Sequence, residues 1–219
     1  MINEVHFNKN YSGTYSLSAD MGGIMDMAKS FDPSMDEVEG GDMIDEAISQ
    51  EEREEMIKKI NQIDGISNTS FEVGDKTSLE FQFDFEDIES LNSAFSEFES
   101  LFNEDNDMVE GGMPGMESMA LPIFTKKGKV ISYSASFPED QIPEGALDEL
   151  DALGGSDGMM DMVMDIMDYT IVFSFDRKIK SVEIDGVDLI SQDKHVVKTR
   201  IDLGKMMNGG AYKISVTTK

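Results

Sequence analysis

Tyr169-Thr-Ile-Val-Phe-Ser-Phe175 opens the closing quarter of the chain, and its alternation decides the fold class. Tyr169, Ile171, Phe173 and Phe175 fall on one face of an extended chain and Thr170 and Ser174 on the other, the period of a half-buried strand. Two more β-rich runs, Lys178 to Ile184 and Val187 to Ile190, follow on either side of Gly186. Ser191-Gln-Asp-Lys194 then turns the chain into His195 to Asp202, and Asn208-Gly-Gly210 into Ala211 to Thr217, where Tyr212, Ile214 and Val216 share a face. Links this short join antiparallel neighbours, because a parallel return needs a crossover of about a dozen residues. The closing quarter is therefore expected to pair with itself as one antiparallel sheet.

Working outward, the same alternation recurs at the start of the chain. Val5 and Phe7 alternate with His6 and Asn8, Lys9 to Gly13 supplies turn residues, and Tyr15, Leu17 and Ala19 alternate with hydroxyls. Met21 to Phe31 has helical spacing, weakened by Gly22-Gly23. Ser49-Gln-Glu-Glu52 has the spacing of a capping box and starts a helix through Met56, Ile57, Ile60 and Ile63, with Gly65 as its terminator. Ile66 to Val73 and Ser78 to Phe85 form a hairpin whose second strand points Leu79, Phe81, Phe83 and Phe85 one way. The next helix, from about Glu86 to Phe102, carries Ile88, Leu91, Phe95, Phe98, Leu101 and Phe102 as an apolar stripe, the face that covers a sheet. Met119 to Phe124 and Val130 to Phe137 flank a basic tip at Lys126-Lys-Gly-Lys129, and short helices are expected over Glu144 to Leu153 and Met159 to Met167. The sum is an α+β fold: a mostly antiparallel β-sheet built from hairpins and covered by amphipathic helices. Residues 1–219 are read as a single domain with flexible acidic loops near 32–48 and 103–118.

The charge is segregated along the sequence. Asp and Glu number 45 against 18 Lys and Arg, yet residues 169–219 carry 9 basic and 6 acidic groups and are mildly basic. The strongly acidic remainder repels phosphate, which argues against nucleic acid as a partner and fits either a solvated surface or one that recruits a partner protein. With 0 Cys, disulfides, thiolate catalysis and Cys-based metal centres are excluded. No apolar run approaches the roughly 20 residues of a transmembrane helix, and no charged start followed by an apolar stretch forms a signal peptide.

Two stretches carry a family resemblance. Val5-His-Phe-Asn-Lys-Asn-Tyr-Ser-Gly-Thr-Tyr-Ser-Leu-Ser-Ala-Asp-Met21 is similar to the strand, turn, strand and Met-rich helix of the LppM-like bacterial envelope lipoproteins. Tyr169 to Val182, followed by Ser191-Gln-Asp-Lys-His-Val-Val197, resembles their closing sheet. The resemblance covers about a third of the chain and implies export, anchoring through a lipidated Cys and binding of a lipid or other ligand in the cell envelope. This sequence has no such Cys, so anchoring requires one removed from upstream of Met1.

Catalytic chemistry is sparse. His6 and His195 are the neutral-pH proton carriers, both read as surface residues, and no phosphate loop or nucleophile elbow is present. Asn103 to Asp107 begins like a calcium loop, but Met108 and Pro114 stand where Gly and the bidentate Glu are required. The 18 Met residues fit core packing, an adaptable lipid or peptide groove, or Cu(I) ligation. Arg177, Lys178 and Lys180 either meet an anionic headgroup or neutralise neighbouring carboxylates. The expectation is a non-enzymatic envelope protein without cofactor or metal that binds a lipid or apolar ligand; the alternative is an interaction subunit that recruits an envelope partner through its acidic surface.

Overall fold

The computed structural model describes residues 1–20, 22, 49–74, 78–103, 123–136, 169–201 and 211–219, the side chains of 99–103 and 136 excepted. Eleven strands and two helices stand in these residues: β1 Ile2–Phe7, β2 Gly13–Asp20, α1 Gln50–Ile60, β3 Ile66–Val73, β4 Ser78–Phe85, α2 Ile88–Asn103, β5 Ile123–Lys127, β6 Val130–Ser136, β7 Tyr169–Phe175, β8 Ile179–Asp185, β9 Asp188–Gln192, β10 Val196–Ile201 and β11 Ala211–Thr218. The α+β class and the antiparallel hairpins β1/β2, β3/β4, β5/β6 and β9/β10 are as the alternation predicts. The helices expected over 21–31, Gly22 apart, 144–153 and 159–167 and the loops near 32–48 and 104–118 lie outside the described residues, while Asn103 closes α2.

The closing quarter does not form one sheet. The strands divide into a seven-stranded sheet, ordered β3-β4-β2-β1-β7-β10-β9, and a four-stranded sheet, ordered β5-β6-β11-β8. Residues 176–178 carry the chain from β7 in the first sheet to β8 in the second, and residues 186–187 carry it back to β9. Three residues reach about 10 Å when extended, roughly the distance between stacked sheets, so the link that reads as a hairpin turn is long enough to change layers. Gly186 makes the return at φ 72. β7 pairs instead with β1, in parallel from Ile2↔Thr170 to Phe7↔Phe175, the single parallel pair among the described strands.

Aromatic rings fill the space between the layers. Phe7 of β1 lies 6.2 Å from Phe124 of β5, and Phe173 of β7 lies 6.0 Å from Phe124 and 5.5 Å from Tyr133 of β6. The small sheet thus covers the β1/β7 side of the large one. α2 covers the β2/β4 side, with Phe95 4.9 Å from Tyr15 and Phe98 5.3 Å from Phe81. α1 starts at the predicted capping box, Ser49 and Glu52 each bonding the other's backbone, but ends at Ile60, leaving Ile63 and Gly65 in the turn beyond. Asn92 of α2 ties helix to sheet: its Nδ2 donates to the Phe124 carbonyl at 2.8 Å, and its Oδ1 accepts from the Phe124 N–H at 2.9 Å.

Candidate functional site: a basic end on an acidic protein

The register fixes which turns lie together. Phe7 pairs with Gly13 and Phe175, Ser174 with Val196, and Lys127 with Val130, while the three-residue link puts the start of β8 beside the end of β7. One end of the two sheets therefore gathers the β1/β2, β5/β6 and β9/β10 turns, the β7–β8 link and the end of β11. Those turns hold Lys9; Lys126, Lys127 and Lys129; Lys194; Arg177, Lys178 and Lys180; and Lys219, nine of the protein's 18 cations. The acids among them are Asp176 and Asp193, while the same end of the helix-covered half carries Asp64, Glu86 and Asp87.

Backbone hydrogen bonds lock these segments to one another. The Thr218 N–H donates to the Lys129 carbonyl at 3.0 Å and the Lys219 N–H to the Lys178 carbonyl at 2.8 Å. Tyr11, buried at φ 70, shares a hydrogen bond of 3.2 Å with Thr218 Oγ1. Two cations lie over its ring, Lys126 at 4.7 Å and Arg177 at 5.3 Å. Of the three cations singled out in the sequence, Arg177 is occupied: its Nε donates to the Lys9 carbonyl at 2.8 Å and its Nη1 to that of Lys219 at 3.4 Å. Lys178 and Lys180 are exposed. None of the nine forms an ion pair within the described residues, where the recorded pairs are His6 with Asp176 and Lys59 with Glu55.

Both histidines have partners. The His195 ring nitrogen Nδ1 meets the Phe175 carbonyl at 2.8 Å, bracing β10 on β7. Asp193 accepts from the N–H groups of His195 and Val196 at 2.6 and 2.8 Å, and these bonds hold its carboxyl below the usual range. His6 stands between Ser174, 2.9 Å from its Nδ1, and Asp176, 3.6 Å from its Nε2. The three residue types are those of a hydrolase triad. The flanking N–H groups of Phe175 and Asp176 are given to the carbonyls of His195 and Phe7, so neither is free to act as an oxyanion donor at Ser174. The His6 and Asp176 side chains are 41% and 43% exposed, on an open sheet face rather than in a cleft.

A second polar cluster lies between the sheets, towards the opposite end. Tyr15 donates to Asn3 Oδ1, and the Tyr133 and Tyr212 hydroxyls stand 3.4 Å apart. Asn3 Nδ2 makes no hydrogen bond, although the amide is near enough to ease ionisation of Tyr169. Burial pushes Tyr212 up to about 12 and raises Tyr15, Tyr133 and Tyr169 as well. Below about pH 10 these phenols are protonated in the folded and unfolded chain alike, and their contribution to stability is complete. Between pH 10 and about 12 the unfolded chain sheds protons that the folded chain keeps, so stability falls as pH rises. Denaturant midpoints should accordingly drop between about pH 9 and about pH 11, and drop less for Tyr212→Phe. Equal midpoints at the two values would show phenols open to water.

No family model and no curated protein matches the sequence. Among solved structures, the NMR structure of the folded domain of Mycobacterium tuberculosis LppM aligns over 100% of this chain and 88% of that chain, at 11% identity and a TM-score of 0.37. So distant a likeness transfers no ligand, location or role to this chain.

Proposed function

We propose that this protein is a non-enzymatic binding module that seats its basic end on an anionic membrane surface, meeting the phosphate headgroups of lipids. The reading rests on nine cations that form no ion pair among the described residues, brought by five separate stretches of sequence to one end of a molecule of net charge -27. A six-residue strand separates the ends by about 20 Å. That exceeds twice the Debye length of about 8 Å at physiological salt, so the described charges at the far end are screened from the surface.

Contact with lipid is then made at headgroup level, since rings occupy the space between the described sheets. An envelope location extends the reading. Lys127 and Lys178 are exposed and hold nothing in place with their side chains, which suits them to a test. Co-sedimentation should show binding to phosphatidylglycerol vesicles, little to phosphatidylcholine, and a fall with added salt. The Lys127→Gln, Lys178→Gln double variant should bind roughly thirtyfold more weakly, at about 1 kcal/mol per cation near the surface. Equal binding to both vesicles, or an unaffected double variant, would refute the proposal.

A further inference from the structure

Four edge strands border the two sheets, and three of them are irregular. β3 shifts register against β4 between Ser67 and Ser70, and β8 shifts against β11 between Thr217 and Thr218. β9 shifts against β10 between Lys198 and Thr199, leaving Ile190 without a partner. Such bulges twist an edge away from further pairing. β5 has none: its pairing with β6 runs unbroken from Ile123↔Ser134 to Lys127↔Val130. Alternation along an antiparallel pair turns the backbone groups of Phe124 and Lys126 away from β6. The Asn92 amide takes both groups of Phe124, one donor and one acceptor, as a neighbouring strand would. The corresponding groups of Lys126 open onto a groove of about 690 Å³ between β5 and α2, with Glu89 and Glu97 on its helical wall.

We propose that β5 is a strand-addition site for an extended, cationic segment of a partner protein, which displaces the Asn92 amide and pairs along Phe124 and Lys126. Glu89 on the groove wall and the net charge of -27 favour a cationic occupant. A second copy is disfavoured, since it would bring together two charges of -27. The site shares Lys126 with the basic end but uses its backbone groups rather than its charge, and Asn92→Ala is expected to leave vesicle binding unchanged.

The probe is a synthetic peptide, acetyl-Lys-Val-Lys-Val-Lys-Val-amide, titrated by fluorescence anisotropy against the full chain. Saturable binding is expected, about tenfold tighter for Asn92→Ala, whose edge is already vacant, and about tenfold weaker with Glu for each Lys of the peptide. Lys126→Pro removes the outward N–H without touching the ladder to β6 and should weaken binding about tenfold; Lys126→Ala keeps that N–H and should not. If Asn92→Ala does not fold, Asn92→Asp, which accepts from Phe124 N–H but cannot donate to its carbonyl, should show an intermediate gain. The proposal is overturned by absence of saturable binding to the native chain and the Asn92 variant, by equal affinity of Lys126→Pro and Lys126→Ala, by equal affinity for the Glu peptide, or by self-association of Asn92→Ala without peptide.

Discussion

Phe124→Ala is expected to remove about 3–5 kcal/mol of folding stability, read as a lower denaturant midpoint with an unchanged slope. Phe124 stands on an edge strand, yet it is 2% exposed, because three layers converge on it. Its ring meets Phe7 and Phe173 of the large sheet at 6.2 and 6.0 Å, Tyr133 of the small sheet at 4.9 Å, and Phe95 of α2 at 5.8 Å in a stacked arrangement. Truncation leaves a void bounded by four rings, each held by its own element, so collapse around it is hindered. Domains of this kind have about 5–15 kcal/mol in total, which makes one side chain a large share of the whole. Phe71→Ala is the comparison: Phe71 is only partly buried on β3, with the ring of Phe81 at 6.1 Å, and should cost about 1–2 kcal/mol. If the two variants lose the same stability, the layers are not joined through Phe124.

The same convergence explains what could and could not be read from the sequence. Period-two alternation reports which side chains share a face, and it placed Phe81, Phe83 and Phe85, or Tyr169 to Phe175, correctly. It does not report which strand lies alongside. Residues 176–178 have the length of a hairpin turn and of a step between layers; only the burial of both flanking strands against different partners separates the two. The parallel pairing of β1 with β7 joins residues nearly the whole chain apart, and no local signal marks it. For the same reason the sequence singled out Arg177, Lys178 and Lys180, which are neighbours in the chain. Lys9, Lys126 and Lys219 join them only through topology, and Arg177 proved to be held by backbone carbonyls and the Tyr11 ring. Asn92 was hidden in an apolar stripe, where one amide between Leu91 and Phe95 is the whole of its signature.

Gly13→Ala should be the most damaging small change in the chain, costing about 4 kcal/mol or more or preventing folding altogether. The sequence places Gly13 in a turn; it is instead the buried first residue of β2, paired with Phe7. A Cβ there would lie 1.7 Å from the His6 carbonyl oxygen and 2.8 Å from Phe85 Cζ. Relief requires β1 and β2 to part by more than an ångström, roughly, against a packed interior of low compressibility. β1 has nowhere to go, since β7 lies on its other side and Phe7 is stacked 5.2 Å from Phe175. The damage would extend to the basic end, because the β1/β2 turn presents Tyr11 and the Lys9 carbonyl to Arg177. Gly128→Ala separates crowding from backbone strain. Gly128 sits at φ 63 in the β5/β6 turn with nothing within 4 Å of an added Cβ, so its substitution should cost only the left-handed penalty of about 1–2 kcal/mol. Denaturation of the two variants side by side decides the matter: if Gly13→Ala loses no more than Gly128→Ala, the close approach of β2 to His6 is not a constraint on the fold.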